Sequence, residues 1–331
     1  MSLPSAPRLT PQKVILTLAA LVLLMLLAVA ASLCFGSTNY RPWQLWNGSA
    51  EAALARDVVL ELRLPRTFAA LAVGGLLALA GTLQQVLLRN PLADPYILGT
   101  SGGASVGALS ALLLGVGTLG VNAAAGIGAL LSIVIVFLLA GRDHSATQTR
   151  LLLTGVALAA FCGALSSLLL SMAPDGLLRG MIFWLMGDLA GAHWQSATVT
   201  LLILLCVIWP LTRELNVMGM AAESAHGLGL SHIHLRWALY FASAIACALA
   251  VTTAGMIGFV GLIVPHALRL LIGQDLRLLL PAASLAGGIV LLIADILART
   301  LIAPQQLPVG VVMALLGVPV FLFLLSKRAQ R

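Results

Sequence analysis

A helix rises 1.5 Å per residue, so it needs about 20 mainly apolar residues to cross the hydrocarbon core of a bilayer. This chain repeats apolar runs of about that length from end to end. They fall at roughly 14–35, 66–88, 97–115, 118–140, 150–172, 194–212, 236–254, 257–272, 281–300 and 308–326, which predicts ten spanning helices. No stretch between runs is long enough for a soluble domain, the longest being about 36–65, 173–193 and 213–235. The expectation is an all-α integral membrane protein, one permeation-scale domain over 1–331 with a short tail at 1–13. Two further short helices are expected at about 179–190 and 220–229.

Composition agrees. Of the 331 residues 60% are hydrophobic and 9% charged, where soluble domains carry about 25% charged residues. Disorder, a collagen-like fibre and a disulfide scaffold are excluded on the same grounds. The net charge of +7 comes from 18 Lys+Arg against 11 Asp+Glu, spread thinly with no basic patch, so nucleic acid is not expected as a partner. Cys34, Cys162, Cys206 and Cys247 all lie inside apolar runs and form no CxxC pair, which reads as buried small hydrophobes. The run from Val14 to Phe35 exceeds a signal-peptide core and lacks a small-residue cleavage site; it is expected to be retained as the first span.

Orientation follows from where Lys and Arg fall. Six of the 18 (Arg41, Arg56, Arg63, Arg66, Arg179 and Arg299) lie on one side and the other twelve on the opposite side, which puts both termini in the cytoplasm. Six outer arginines are more than this tendency favours. Arg63 and Arg66 flank Pro65 at the start of the second run, where cations meet the positive end of a helix dipole. They read either as headgroup-snorkelling residues or, with Arg299, as a basic rim for an acidic partner.

The chain lacks an engine. A P-loop needs a Gly-rich turn followed by lysine, and the two lysines, Lys13 and Lys327, follow Gln12 and Ser326. A proton or sodium relay needs titratable groups within spans. Asp295 is the one acid placed inside a run, and Arg299 at i+4 is positioned to pair with it. His226, His232 and His234 have only Glu223 as an acidic neighbour, so no metal site is expected. Asp175, Arg179, Asp188 and His193 share one outer loop region and read as gate or docking residues rather than a catalytic cluster; no catalytic residue is expected.

Gly99, Gly103 and Gly107 recur every fourth residue, a stripe for close helix packing. The segment Asn90–Pro95 contains two prolines and reads as a cytoplasmic turn. Met220–Leu230 is a short helical run closed by Gly227 and Gly229, read as a docking platform or a solvated loop.

At this point a family resemblance becomes specific. Leu62–Arg66, Ala80-Gly81, Asn90–Pro95, Leu98–Gly103, Leu151–Gly155, Trp184–Gly187, Gly258–His266, Ala294-Asp295, Ala298-Arg299 and Leu307–Gly310 occur in order. Together they resemble the FecCD-type permease subunits of bacterial importers for iron siderophores, haem and cobalamin, from about residue 56 to the C-terminus. The resemblance implies an ATP-binding-cassette importer of type II in the bacterial inner membrane. Two copies of the chain would pair, two separate ATPase subunits would use ATP and Mg, and a periplasmic substrate-binding protein would deliver cargo. It implies no cofactor bound by the chain itself.

By resemblance, Arg63, Arg66 and Arg299 dock the binding protein, and Glu223, Ala225 and Gly229 couple to the ATPase. Gln148 and Thr149 stand at the cytoplasmic gate, where the cobalamin importer carries a small hydroxyl pair instead. The expected cargo is haem or a ferric siderophore, with cobalamin as the alternative within the family. An ion-driven secondary carrier is the rival from another class.

Overall fold

The computed structural model describes residues 10–38, 42–43, 50–140, 148–218 and 232–328, and the regular structure among them is helical. The first helix starts where the chemistry invites it. The Thr10 side chain accepts from the Lys13 backbone and Pro11 occupies the first turn, opening α1 (Pro11–Cys34). Only Ala28 and Ser32 of α1 are buried, as suits a helix facing lipid.

Next, α2 (Ala50–Arg56) runs through a π-helical stretch, Asp57–Arg63, directly into α3 (Leu64–Leu87). The helix therefore does not begin at Pro65. The wider π turn lets the chain continue past a residue that cannot donate a backbone hydrogen bond. The remaining helices are α4 (Thr100–Leu113), α5 (Thr118–Ala140), α6 (Gln148–Ser171), α7 (Asp175–Met186), α8 (Trp194–Ile208), α9 (Thr212–Met218), α10 (His232–Ala254), α11 (Val260–Ile272), α12 (Leu276–Thr300) and α13 (Val309–Arg328). The helix expected at 179–190 is α7, displaced toward the N-terminus; 220–229 lies outside the described residues.

Among the described residues, seven segments are long and apolar enough to cross a membrane: α1, α2–α3, α5, α6, α8–α9, α10 and α12. The runs expected at 97–115 and 257–272 form helices of 14 and 13 residues, about 20 Å each and short of the hydrocarbon thickness. Backbone geometry explains both. Left-handed Gly99 (φ 76°) opens α4; Gly255 (φ 69°) closes α10, left-handed Phe259 (φ 70°) opens α11, and Gly273 (φ 100°) ends it. The last expected span is α13, apolar over Val309–Leu324.

The core is built around α3, which is buried almost continuously from Arg66 to Leu87 and contacts α8, α10, α11 and α12. Small residues bring backbones together there. A Cβ on Gly74 would stand 2.3 Å from the Gly287 carbonyl oxygen, and one on Gly81 would stand 1.8 Å from that of Gly261. Outside this centre, α5 is tied to α10 by aromatic contact (Phe137 and Trp237 centroids 4.3 Å apart) and by Tyr240 Oη donating to the Ile133 carbonyl at 2.7 Å.

Candidate functional site

The last carbonyls of a helix have no partner within it and carry partial negative charge. At the end of α1 these groups are met by arginines from two other helices. Arg63 Nη1 donates to the Leu33 carbonyl at 2.8 Å and Nη2 to that of Thr38 at 2.7 Å. Arg299 Nη1 donates to the Phe35 carbonyl at 3.2 Å and Nη2 to Ser32 Oγ at 2.9 Å. Ser32 Oγ lies 2.7 Å from Thr67 Oγ1 on α3. At the opposite end of α1, Lys13 Nζ donates to the Ile272 carbonyl at the end of α11, 2.9 Å away.

The counter-charge is Asp295, whose side chain is 0% exposed. Its Oδ1 accepts from Arg66 Nε at 2.7 Å, and its Oδ2 lies 2.9 Å from Arg299 Nε. The rest of the Arg66 fork reaches outward, with Nη1 to Gln306 Oε1 at 2.8 Å and Nη2 to Asp188 Oδ1 at 3.5 Å. Both outer partners reach solvent: Gln306 is exposed, and the Asp188 side chain is 38% exposed. Arg63, Arg66 and Arg299 are thus brought together as the sequence reading expected, but they do not form an exposed rim. They are 4%, 7% and 3% exposed. Their number on this side is explained by helix capping and by Asp295, and neither Arg63 nor Arg66 faces a helix N-terminus, because the helix is continuous through them.

A second polar cluster lies at the other end of α3. Gln84 Nε2 donates to the Pro95 carbonyl (3.0 Å), while Gln85 Nε2 donates to those of Ala93 (3.3 Å) and Leu262 (3.2 Å). Arg269 Nη1 donates to Gln85 Oε1. Asp94 caps the Tyr96 backbone at 2.8 Å, and Tyr96 Oη bonds both the carbonyl and the N–H of Ile257 at 3.0 Å. The Asn90–Pro95 turn is therefore clamped onto α3 and α11. Sequence reading missed Gln84, Gln85 and Tyr96, although two adjacent glutamines inside an apolar run were the available signal.

Asp275 caps α12, accepting from the Arg277 backbone at 3.0 Å, from Arg277 Nη2 at 2.7 Å and from Asn216 Nδ2 at 3.0 Å. Burial pushes its carboxyl up, but the Arg277 and Asn216 hydrogen bonds and the Arg277 charge outweigh this and leave it below the ordinary 3.8. A carboxyl depressed in the fold contributes stability above its unfolded pKa and loses it as pH falls through the folded value. Asp275→Asn, which keeps the cap and removes the charge, is expected to lower the melting temperature by about 1–2 °C at neutral pH. At a pH acid enough to protonate the folded carboxyl as well, it is expected to have no effect. Thermal unfolding of the purified protein at the two pH values checks this.

The glycine stripe divides. Gly103 and Gly107 sit where α4 meets α5: a Cβ there would stand 2.2 Å from the Gly128 carbonyl oxygen and 2.1 Å from that of Ala124. Gly99 belongs to the turn before α4, beside Leu158. Gln148 and Thr149 open α6, with their side chains outside the description, and Glu223, Ala225 and Gly229 lie outside the described residues. Of the outer-loop group, Asp188 joins Arg66, whereas Arg179 lies over the Phe183 ring, 5.6 Å from its centroid. Among the described residues no three His, Cys, Asp or Glu side chains group as metal ligands.

The sequence profile of the FecCD transport family matches residues 23–327. The chain belongs to this family. It is a multi-pass inner-membrane protein of the FecCD transport family, its seven apolar helices agreeing with that membership. Over 320 residues it is 42% identical to the vitamin B12 import system permease proteins BtuC of Salmonella newport (strain SL254) and Salmonella typhimurium (strain LT2), covering 95% of each chain. Among solved structures it matches one described as an inward-facing conformation of a metal-chelate type ABC transporter. That match has a TM-score of 0.84 and 31% identity, over 96% of this chain and 100% of the other. PsaBC from Streptococcus pneumoniae in complex with Fab, at 15% identity and a TM-score of 0.53 over 78% of this chain, shares the fold alone.

Proposed function

We propose that this FecCD-family chain is the permease subunit of an ATP-driven importer that carries a bulky metal chelate across the inner membrane, with a corrinoid as cargo. The observation that carries this reading is 42% identity over 95% of both chains to relatives titled vitamin B12 import permeases. It moves the cargo away from the haem or ferric siderophore expected from sequence. An iron chelate is the second reading, favoured by the structural relative titled as metal-chelate type.

Two copies would pair around a central path, each resting on a separate ATPase subunit that holds ATP and Mg. The chain carries no P-loop of its own. Coupling is assigned to Glu223, Ala225 and Gly229 and the cytoplasmic gate to Gln148 and Thr149, on the family resemblance. Docking of a periplasmic binding protein is assigned to the arginine cluster in a modified form: Arg66 and its exposed partner Asp188 meet the protein, while Arg63 and Arg299 hold the end of α1 beneath them. The capping bonds of Arg63 and Arg299 to the end of α1, and the reach of Arg66 to the part-exposed Asp188, support this division.

The test is uptake by proteoliposomes holding the full complex. Cobalamin uptake that requires trapped ATP and survives collapse of the proton gradient is expected. Uptake of a ferric siderophore or haem in its place selects the second reading, and uptake without ATP that fails without the gradient overturns both.

A further inference from the structure

Among the described residues, two that are not glycine hold a left-handed backbone: Phe259 (φ 70°) and Arg89 (φ 45°). Side chains with a Cβ resist this conformation, and such strain persists only where something else compensates. For Phe259 the compensation is visible. Its side chain packs on α13, so closely that a Cβ added to Gly317 would stand 2.8 Å from the Phe259 Cβ. Arg89 has no such account. It follows the C-cap residue Leu88 in a Schellman motif at the end of α3, with the Asn90 N–H bonding the Gln85 carbonyl at 3.1 Å and its own N–H bonding that of Val86 at 3.2 Å. That position strongly favours glycine. The Arg89 side chain is exposed, and no described residue accepts a hydrogen bond or ion pair from it. A cation near a helix C-terminus is favourable, but a position inside the last turn provides that without strain.

The surroundings define what the side chain meets. The helix it ends, α3, is the most enclosed of the spans, with 94% of its apolar window buried. Arg236 lies close enough for the two positive charges to oppose each other, and Arg269 is engaged by Gln85. Asp94, five residues on in the same turn, is turned inward to cap Tyr96. We infer that Arg89 is an interaction residue, held in a strained cap so that its guanidinium projects from the cytoplasmic end of α3 to meet an acidic surface of the ATPase subunit. This rests on the importer reading above and adds a contact separate from the 220–229 region.

The test uses the full chain in nanodiscs and the ATPase subunit of the same system as a soluble probe. Arg89→Gly is expected to raise the melting temperature of the permease by about 1–3 °C, by relieving the left-handed strain. The same variant is expected to weaken ATPase binding at least tenfold at low salt, with the difference shrinking as salt rises. Arg89→Asn, which tolerates the conformation, is expected to weaken binding without loss of stability and serves if the glycine variant is poorly recovered. Arg89→Lys keeps charge and strain and is expected to change neither reading by much. Glycine or asparagine variants that bind the ATPase as tightly as wild type overturn the inference, as does a lowered melting temperature in the glycine variant. A wild-type chain that binds no ATPase subunit overturns the importer reading instead, so the two failures are distinguishable.

Discussion

Asp295→Ala is expected to lower the stability of the folded chain by about 3–5 kcal/mol, the range found when one partner of a buried ion pair is removed. The carboxylate is fully buried and lies 2.7 Å from Arg66 Nε and 2.9 Å from Arg299 Nε. Removing it leaves two guanidinium groups facing each other in a site that water does not readily enter. The damage should spread, because Arg299 also holds Ser32 and Phe35 at the end of α1, and Arg66 holds Gln306 and Asp188. Thermal unfolding in detergent, followed with the yield of monodisperse protein, measures the effect. Asp295→Asn keeps the shape but not the charge and should lose nearly as much. The pair Arg66→Met with Asp295→Leu should recover part of it, since an apolar replacement of similar volume leaves fewer charges unmatched. A loss below about 1 kcal/mol for Asp295→Ala would show that solvent screens the cluster as it screens surface pairs.

The second large effect is expected at Gly103. A Cβ there would lie 2.0 Å from Ser132 Oγ and 2.2 Å from the Gly128 carbonyl oxygen. The serine side chain can rotate, but the carbonyl belongs to α5 and moves only if the helix moves. Gly103→Ala is therefore expected to cost about 1–3 kcal/mol by overpacking, and Gly103→Leu to prevent recovery of folded protein. Gly163 on α6 is the control, because a Cβ there meets nothing within 4 Å. Gly163→Ala is expected to be neutral or to stabilise by about 0.5–1 kcal/mol through helix propensity. Side-by-side thermal unfolding and size-exclusion profiles of the three variants settle the comparison, and a Gly103→Leu chain that folds and transports normally would refute the contact.

The helical class was readable because apolar runs of spanning length cannot be hidden in water. Run length alone overstates two spans: the Gly-rich stretches Ile97–Gly117 and Gly255–Pro265, which read as candidates for broken or half-length helices, form short helices entered through the left-handed Gly99 and Phe259. Pro65 misled in the opposite direction: it reads as a helix start, yet the π turn before it keeps the helix running. The arginine cluster was legible as a set but not as an arrangement. Charge placement located Arg63, Arg66 and Arg299 at one face; their partners are Leu33, Thr38, Phe35, Gln306 and Asp295, far away in sequence apart from the Arg299–Asp295 pair. The Gln84 and Gln85 clamp stayed hidden for the same reason, since its acceptors are backbone carbonyls that no residue type announces.

Where α3 meets α11 and α12, glycine faces glycine and main chain lies against main chain. Such a seam has no long side chains to swing or compress, so it cannot absorb a relative shift of its helices by swapping rotamers. In an importer that alternates between inward- and outward-open forms, these three helices would move together as one stiff wedge. In the importer reading proposed above, the displacement would fall to helices outside this wedge, such as the sparsely buried α6 and α7.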